Sequence, residues 1–424
     1  MKAAMDVRLR RLVEHARAHS PFFTALYREL PADWTLSDLP LIEPADYWRQ
    51  CQPLEDWPVL SGPLADGHVF KTGGSTSDGK LSVFRRDEWQ AFVRAFGQGL
   101  GRQLLPGDRV ANLFFAGDLY TSLLFIHGAL SHSPAPVVEF PFTCNVEDAA
   151  LADAIDTLDI NVLAGVPVQL VRFASWLQQA GRALTGVRCL LYGGESLFAE
   201  QLALLGRVFP NARIGSIGCA SVDAGLIGAA GPDCAQGEHR VFDADTIVEI
   251  IDEASGLPIT EPDRKGLLVV SNLQRRLMPV IRYPTGDLAC WREPAGRPER
   301  KFALQGRASR GHRVRVCTLS LFPDELDPLL RGQDGVLAWQ LLVGRRDGVD
   351  TLSLRVASEY APAPAAEPLR ERLLTAQPAL AELCRQGLLR LDVAYCAPEA
   401  MLTHPRSGKL MRVVDQRAYE EVAA

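Results

Sequence analysis

The 424 residues carry 45 Lys and Arg against 51 Asp and Glu, a net charge of −6, with 47% apolar and 23% charged residues. That balance belongs to a globular chain long enough for two or three units, and it argues against nucleic acid gripped by a broad basic surface. No apolar run approaches the roughly 20 residues of a membrane span, and nine cysteines without paired short spacings point to reduced thiols in a cytoplasmic setting.

The chain opens on a charged amphipathic stretch unlike a secretory leader. Its pattern predicts a helix over Arg8 to Tyr27, then a connection punctuated by Pro31, Pro40 and Pro44. Apolar runs at Val110 to Phe115, Val162 to Gly165 and Cys189 to Tyr192 read as buried strands. Asp148 to Leu158 and Pro167 to Gln179 lie between them with helical periodicity. Such alternation predicts a mostly parallel sheet covered by helices on both faces. From about Ile247 short strands and turns predict a β-rich appendage. Beyond Arg307, runs at Trp339 to Val343 and Thr351 to Val356 flank an Arg-Arg-Asp-Gly turn. A helix over Leu369 to Gln386 and a strand over Leu388 to Tyr395 follow. The expected architecture is α/β: a large N-terminal lobe, residues 1–306, and a small α+β C-terminal lobe, residues 307–424.

Four runs carry candidate chemistry. In Lys71-Thr72-Gly73-Gly74-Ser75-Thr76-Ser77-Asp78-Gly79-Lys80 the hydroxyls can donate to phosphate oxygens. The glycines let backbone N–H groups close round an anion, and Lys80 adds a charge. Gly74 to Lys80 also satisfies the start of a P-loop. There, however, Leu81 stands where Ser or Thr should be, and Leu81 to Arg85 alternates like a strand where a helix is required. A plain surface turn is the other reading. Tyr192-Gly193-Gly194-Glu195-Ser196 follows a buried strand and could be an ordinary strand-to-helix turn. Tyr283-Pro284-Thr285-Gly286-Asp287 ends in a carboxylate able to accept two ribose hydroxyls. Ser407-Gly408-Lys409 puts an ammonium on a glycine turn near the C-terminus.

Taken in order, these runs resemble the adenylate-forming ligases, which activate a carboxylate with ATP. Against the family loop Thr-Ser-Gly-Thr-Thr-Gly-x-Pro-Lys the matches are Thr72, Gly74, Thr76 and Lys80, with Ser75 a conservative exchange. Gly73, Ser77 and Gly79 depart from it. The resemblance implies that Gly193, Gly194 and Glu195 form the adenine turn and that Asp287 and Arg307 hold ribose. The family's metal carboxylate closes a Tyr-Gly-x-Ser/Thr-Glu run. One frame puts Ser221 there and a shifted frame puts Asp223, which suits Mg²⁺ because that ion takes hard oxygen ligands. Zinc is not expected, since the Cys-x-Cys-Gly-Arg pattern of zinc-bearing relatives stands here as Glu293-Pro294-Ala295-Gly296-Arg297.

Lys409 matches the family's mobile lysine, which would bridge the substrate carboxylate and the α-phosphate. The hinge lacks the acids of relatives: Gly306-Arg307-Ala308-Ser309-Arg310-Gly311 runs on to Phe322-Pro323 with longer spacing. That departure bears on thioester formation more than on adenylation. Ser20-Pro21-Phe22-Phe23 and Phe322-Pro323 resemble the phenylacetate–CoA ligase branch, which neighbours aryl-acid adenylating proteins of phenazine-type antibiotic pathways. An acyl pocket in this family lies between the phosphate loop and the adenine turn. Phe115, Tyr120 and His127 are its candidate walls, with Phe114, Phe125, Phe140 and Phe142 nearby, and aromatic walls suit a flat aryl acid.

The implied reaction forms an acyl-AMP from ATP and an aryl acid with Mg²⁺, then passes the acyl group to CoA, a carrier-protein thiol or an amine. A non-catalytic nucleotide or aryl-acid binding protein and a P-loop NTPase are the alternatives.

Overall fold

The computed structural model describes residues 2–417 apart from 73–79, 144, 198, 308–313, 317–318, 322, 332–334, 347–348, 361–364 and 405–407. The architecture is mixed α/β, as the alternation predicts. Its centre is a five-stranded parallel sheet, ordered Val138–Pro141, Arg109–Asn112, Val162–Gly165, Cys189–Tyr192, Arg213–Ser216. The middle strands are buried on both faces, which is why they read as continuous apolar runs. One face packs on helices Asp148–Thr157, Pro167–Gln179 and Ala199–Val208. The other packs on Arg86–Leu100 and Ser122–Leu130.

The predicted strand Val110 to Phe115 stops short. Pairing ends at Asn112, whose fully buried amide donates to Glu139 Oε1 at 2.7 Å and to Leu123 O at 3.2 Å. Phe114 and Phe115 therefore leave the sheet at its carboxyl edge, where open α/β sheets receive ligands.

The β-rich part is larger than predicted. Seven antiparallel strands are ordered Thr246–Ile251, Gly266–Asn272, Val280–Trp291, Lys301–Arg307, Glu238–Val241, Gly225–Ala229, Cys219–Ser221. Strands as poor in side chains as Gly225–Ala229 carry no alternation to read. An N-terminal cap packs on this sheet through Phe23, Tyr27, Leu39, Tyr47 and Trp57. Its predicted single helix is two, Lys2–His19 and Pro21–Leu26. Pro21 forces Ser20 into an extended conformation, and Ser20 then caps the second helix.

Residues after 313 build their own core on a four-stranded sheet, ordered Leu389–Cys396, Val349–Ser358, Val336–Arg346, Val413–Asp415. The expected hairpin is present, with Arg346 opposite Val349. The helix predicted over Leu369 to Gln386 breaks into Glu367–Ala376 and Pro378–Arg385, since Pro378 holds Gln377 out of the helical region. Leu337, Ala338, Ala357 and Met401 join the core of the parallel sheet's helices. Gln201 donates across this contact to Leu337 O, and Arg207 pairs with Glu359.

Candidate active site

The phosphate-loop candidate is flanked by two paired strands. Strands Gly67–Lys71 and Leu81–Arg85 pair antiparallel, and the helix that follows them begins at Arg86. The strand after Lys80 removes the geometry a P-loop requires. Thr72 and Lys80 clamp the two ends: Thr72 N–H donates to Lys80 O at 2.9 Å, and Lys80 N–H donates to Thr72 Oγ1 at 3.0 Å. Gly74, Ser75 and Thr76 lie outside the described residues.

Gly193 and Gly194 follow the central strand Cys189–Tyr192 at the sheet's carboxyl edge, and Gly193 N–H donates to Gly165 O at 3.1 Å. A Cβ on Gly193 would meet Ile217 Cγ2 at 2.7 Å. Gly194 has φ +89°, and a Cβ there would stand 2.7 Å from Lys409 Cε and 3.3 Å from its Nζ. The half-buried lysine side chain therefore lies across the bare backbone of the adenine-turn candidate. Its turn is closed by His404 N–H donating to Lys409 O and Gly408 N–H to His404 O, both at 2.8 Å. Two runs separated by more than 200 residues thus meet at one edge of the sheet.

Asp287 sits on the long strand Val280–Trp291, directly opposite Arg307 on Lys301–Arg307. Gly286, with φ +80°, sits where the strand pairing is irregular, and Asp287 N–H donates to Thr285 Oγ1 at 3.1 Å. Just before this run Arg282 is held at φ +49°. Its guanidinium bonds both oxygens of buried Glu249, at 3.0 and 3.1 Å, and also donates to Leu39 O. The strained backbone is thus fixed from two sides.

Asp223 lies beside this run. Its Oδ2 accepts from Tyr283 Oη–H at 3.0 Å and its Oδ1 from Ala224 N–H at 3.0 Å. Among the described residues each carboxylate oxygen takes one hydrogen bond, and the residue is only half-buried. A single hard-oxygen contact to Mg²⁺ fits that geometry. No group of three His, Cys, Asp or Glu side chains forms a metal cage among the described residues, and Mg²⁺ is ordinarily held by one or two carboxylates together with substrate phosphates. Burial drives the Tyr283 phenol well above its usual range, so it stays a hydrogen-bond donor.

The acyl-wall candidates separate. Phe115 is half-buried, with its N–H and C=O both bonded to Ser122 Oγ at 3.1 Å, and its ring meets Gly408. Tyr120 is buried and closes a tight turn with Gly117. His127 is exposed, its Nδ1 2.6 Å from Glu139 Oε2. Phe125 packs among Phe92, Phe96 and Trp89 in the core, and Phe114 lies under Gly193.

Comparison with known proteins gives a consistent picture. The chain is 24% identical over 187 residues to an indoleacetate–lysine synthetase of Pseudomonas savastanoi, covering 44% of this chain and 43% of that protein. It is also 24% identical over 381 residues to a phenylacetate–coenzyme A ligase of Thermus thermophilus, covering 84% and 81%. The match to the first relative thus spans less than half of that protein's length. No protein-family profile matches the chain. A 2-hydroxyisobutyryl-CoA ligase in its postadenylation state with 2-HIB-AMP superposes with a TM-score of 0.71 at 21% identity, over 98% of this chain and 89% of that one. The same ligase in an open conformation gives 0.58. This is the adenylate-forming fold, and the sequence resemblance is to its phenylacetate–CoA ligase branch.

Two residues of this candidate site escape sequence reasoning. Trp48, from the N-terminal cap, donates through Nε1 to Tyr283 Oη at 3.1 Å, and Lys80 Nζ lies 5.2 Å from its ring centroid. Arg275 is 2% exposed and donates to Val83 O at 2.8 Å and Ser82 Oγ at 3.2 Å, tying the strand after the phosphate loop to the segment that carries Asp223. In sequence it is half of an ordinary Arg-Arg pair. No helix among the described residues is long and apolar enough to cross a membrane.

Proposed function

We propose that the chain activates a carboxylic acid with ATP as an acyl adenylate, releasing pyrophosphate. The observation that carries this is Lys409, delivered from the C-terminal unit onto the Gly194 backbone at the carboxyl edge of the parallel sheet. A substrate carboxylate oxygen attacks the α-phosphorus, the bond from that phosphorus to the α,β-bridging oxygen breaks, and pyrophosphate leaves with the electron pair. The Lys409 ammonium neutralises charge gathering between the carboxylate and the α-phosphate, in a site closed by the lobe that brings it. The segment Thr72 to Lys80 receives the β- and γ-phosphates, Gly193, Gly194 and Glu195 the adenine, and Asp287 with Arg307 the ribose. Mg²⁺ bound with the triphosphate would supply charge neutralisation there, with Asp223 as its protein oxygen.

The acid we assign is aromatic, because the half-buried Phe115 ring lies at the edge where the acyl group must lie, and a flat ring stacks on such a wall. CoA is the first acceptor to consider, given the phenylacetate–coenzyme A ligase among the relatives. An amine acceptor is the second, favoured by the relative named indoleacetate–lysine synthetase.

The decisive measurement is carboxylate-dependent ATP–pyrophosphate exchange across a panel of aryl acids, with Lys409→Ala alongside. We expect exchange with at least one acid and a loss of about 10²-fold or more in the variant. ATP binding with no exchange for any acid would favour a binding protein that keeps the fold.

A further inference from the structure

A residue outside all four chemistry-bearing runs touches two of them. Trp48 follows the short helix Pro44–Tyr47 in the N-terminal cap. Its ring is stacked on Trp57 at 5.2 Å and 28° and met edge-on by Tyr47 at 5.1 Å, so its orientation is set by the core beneath. From that fixed ring two contacts reach outward. The indole N–H donates to Tyr283 Oη at 3.1 Å, and the ammonium of Lys80 lies 5.2 Å from the ring centroid.

A phenol has one proton to donate. Because Trp48 is a donor only, it occupies an acceptor position on Tyr283 Oη and leaves the phenolic proton for Asp223 Oδ2, 3.0 Å away. The same indole holds Lys80 by its π face, a contact that phosphate oxygens outcompete because they offer full negative charge. Lys80 leaves the phosphate loop, Asp223 comes from the turn after Cys219–Ser221, and Tyr283 opens the ribose run. One side chain therefore links all three segments.

We propose that Trp48 is a positioning residue for the β- and γ-phosphates of a nucleoside triphosphate and their divalent cation. It sets the direction of the Asp223 carboxylate through Tyr283 and holds Lys80 ready at the loop exit. This rests on the adenylating reading for the identity of the ligand.

The test is isothermal titration of the full chain with ATP, with and without Mg²⁺, and with AMP, for wild type, Trp48→Phe, Tyr283→Phe and Trp48→Leu. Trp48→Phe keeps an aromatic ring near Lys80 while it removes the N–H donor and one fused ring, so it guards against a variant that fails to fold. Each of the two Phe variants should weaken Mg²⁺–ATP binding by about threefold to tenfold, the worth of one hydrogen bond. Trp48→Leu should weaken it further, and AMP, which lacks the outer phosphates, should bind all four proteins alike. Unchanged ATP affinity in Trp48→Phe and Tyr283→Phe would overturn the proposal, as would equal losses for AMP and ATP, which mark general damage. Wild-type protein that binds neither nucleotide would overturn the adenylating reading itself, so the two failures are distinguishable.

Discussion

Gly408 lies directly against the ring of Phe115: a Cβ placed on it would stand 1.5 Å from Phe115 Cζ. The glycine before Lys409 also has φ +62°, a conformation costly for any side chain. The lysine turn therefore reaches Gly194 with no side chain on Gly408 to strike the Phe115 ring. Phe115 is at once a candidate acyl wall and the plate on which the lysine turn docks.

Gly408→Ala should accordingly lower the exchange rate on the order of 10²-fold, since displacements of about 1 Å suffice for such losses, while leaving ATP affinity within about twofold. Adding Phe115→Ala removes the clash but not the backbone strain of about 1–2 kcal/mol, so the double variant should recover part of the rate. Gly194→Ala should lower the rate too, because its φ of +89° is strained for any side chain and its Cβ would stand 2.7 Å from Lys409 Cε. Rates at saturating ATP, compared across the four proteins, check this; a double variant no better than Gly408→Ala alone would contradict the docking role of Phe115.

Much of the large lobe was legible because its middle strands are buried on both faces. Val162–Gly165 and Cys189–Tyr192 carry no charged residue, and the helix Pro167–Gln179 opens on its proline as expected. What stayed hidden has physical causes. Helices at Pro21 and Pro378 break because the residue before each proline leaves the helical region. The Trp48–Tyr283 bond spans 235 positions, and nothing local announces it. Lys409 could be read as a glycine-turn lysine, but its contact with Gly194 could be seen only once both turns were placed at the same edge.

Adjacent Arg275 and Arg276 show the same limit in one step, and they supply a stability test. The Arg275 guanidinium stacks on Phe84 at 3.6 Å and bonds Val83 O, Ser82 Oγ and Met278 Sδ while fully enclosed. Arg275→Met keeps much of the volume but leaves the Val83 carbonyl buried without its donor. The expected loss is about 1–3 kcal/mol, read as a lower urea midpoint with an unchanged slope. Arg275→Lys should not rescue it, since an ammonium lacks the planar fork that reaches several acceptors at once. A wild-type midpoint in either variant would refute the role.

His239 supplies a pH test. Its ring is 3% exposed, lies beside Phe302, and places Nε2 2.9 Å from Ser216 Oγ. Burial pushes its pKa down to about 4, from the 6.5 usual for an imidazole in water. Between those values the unfolded chain binds the proton and the folded protein does not, so stability falls as pH falls from 6.5 and the loss saturates below about 4. The full difference is on the order of 3 kcal/mol. Carboxylates titrate in the same window, so the measurement is the difference in unfolding free energy between wild type and His239→Gln, taken at several pH values. Glutamine is neutral throughout, so the variant should gain on wild type steadily as pH drops from 6.5 to 4. A difference that stays flat across that range would mean that His239 takes up its proton in the folded protein as easily as in the unfolded chain.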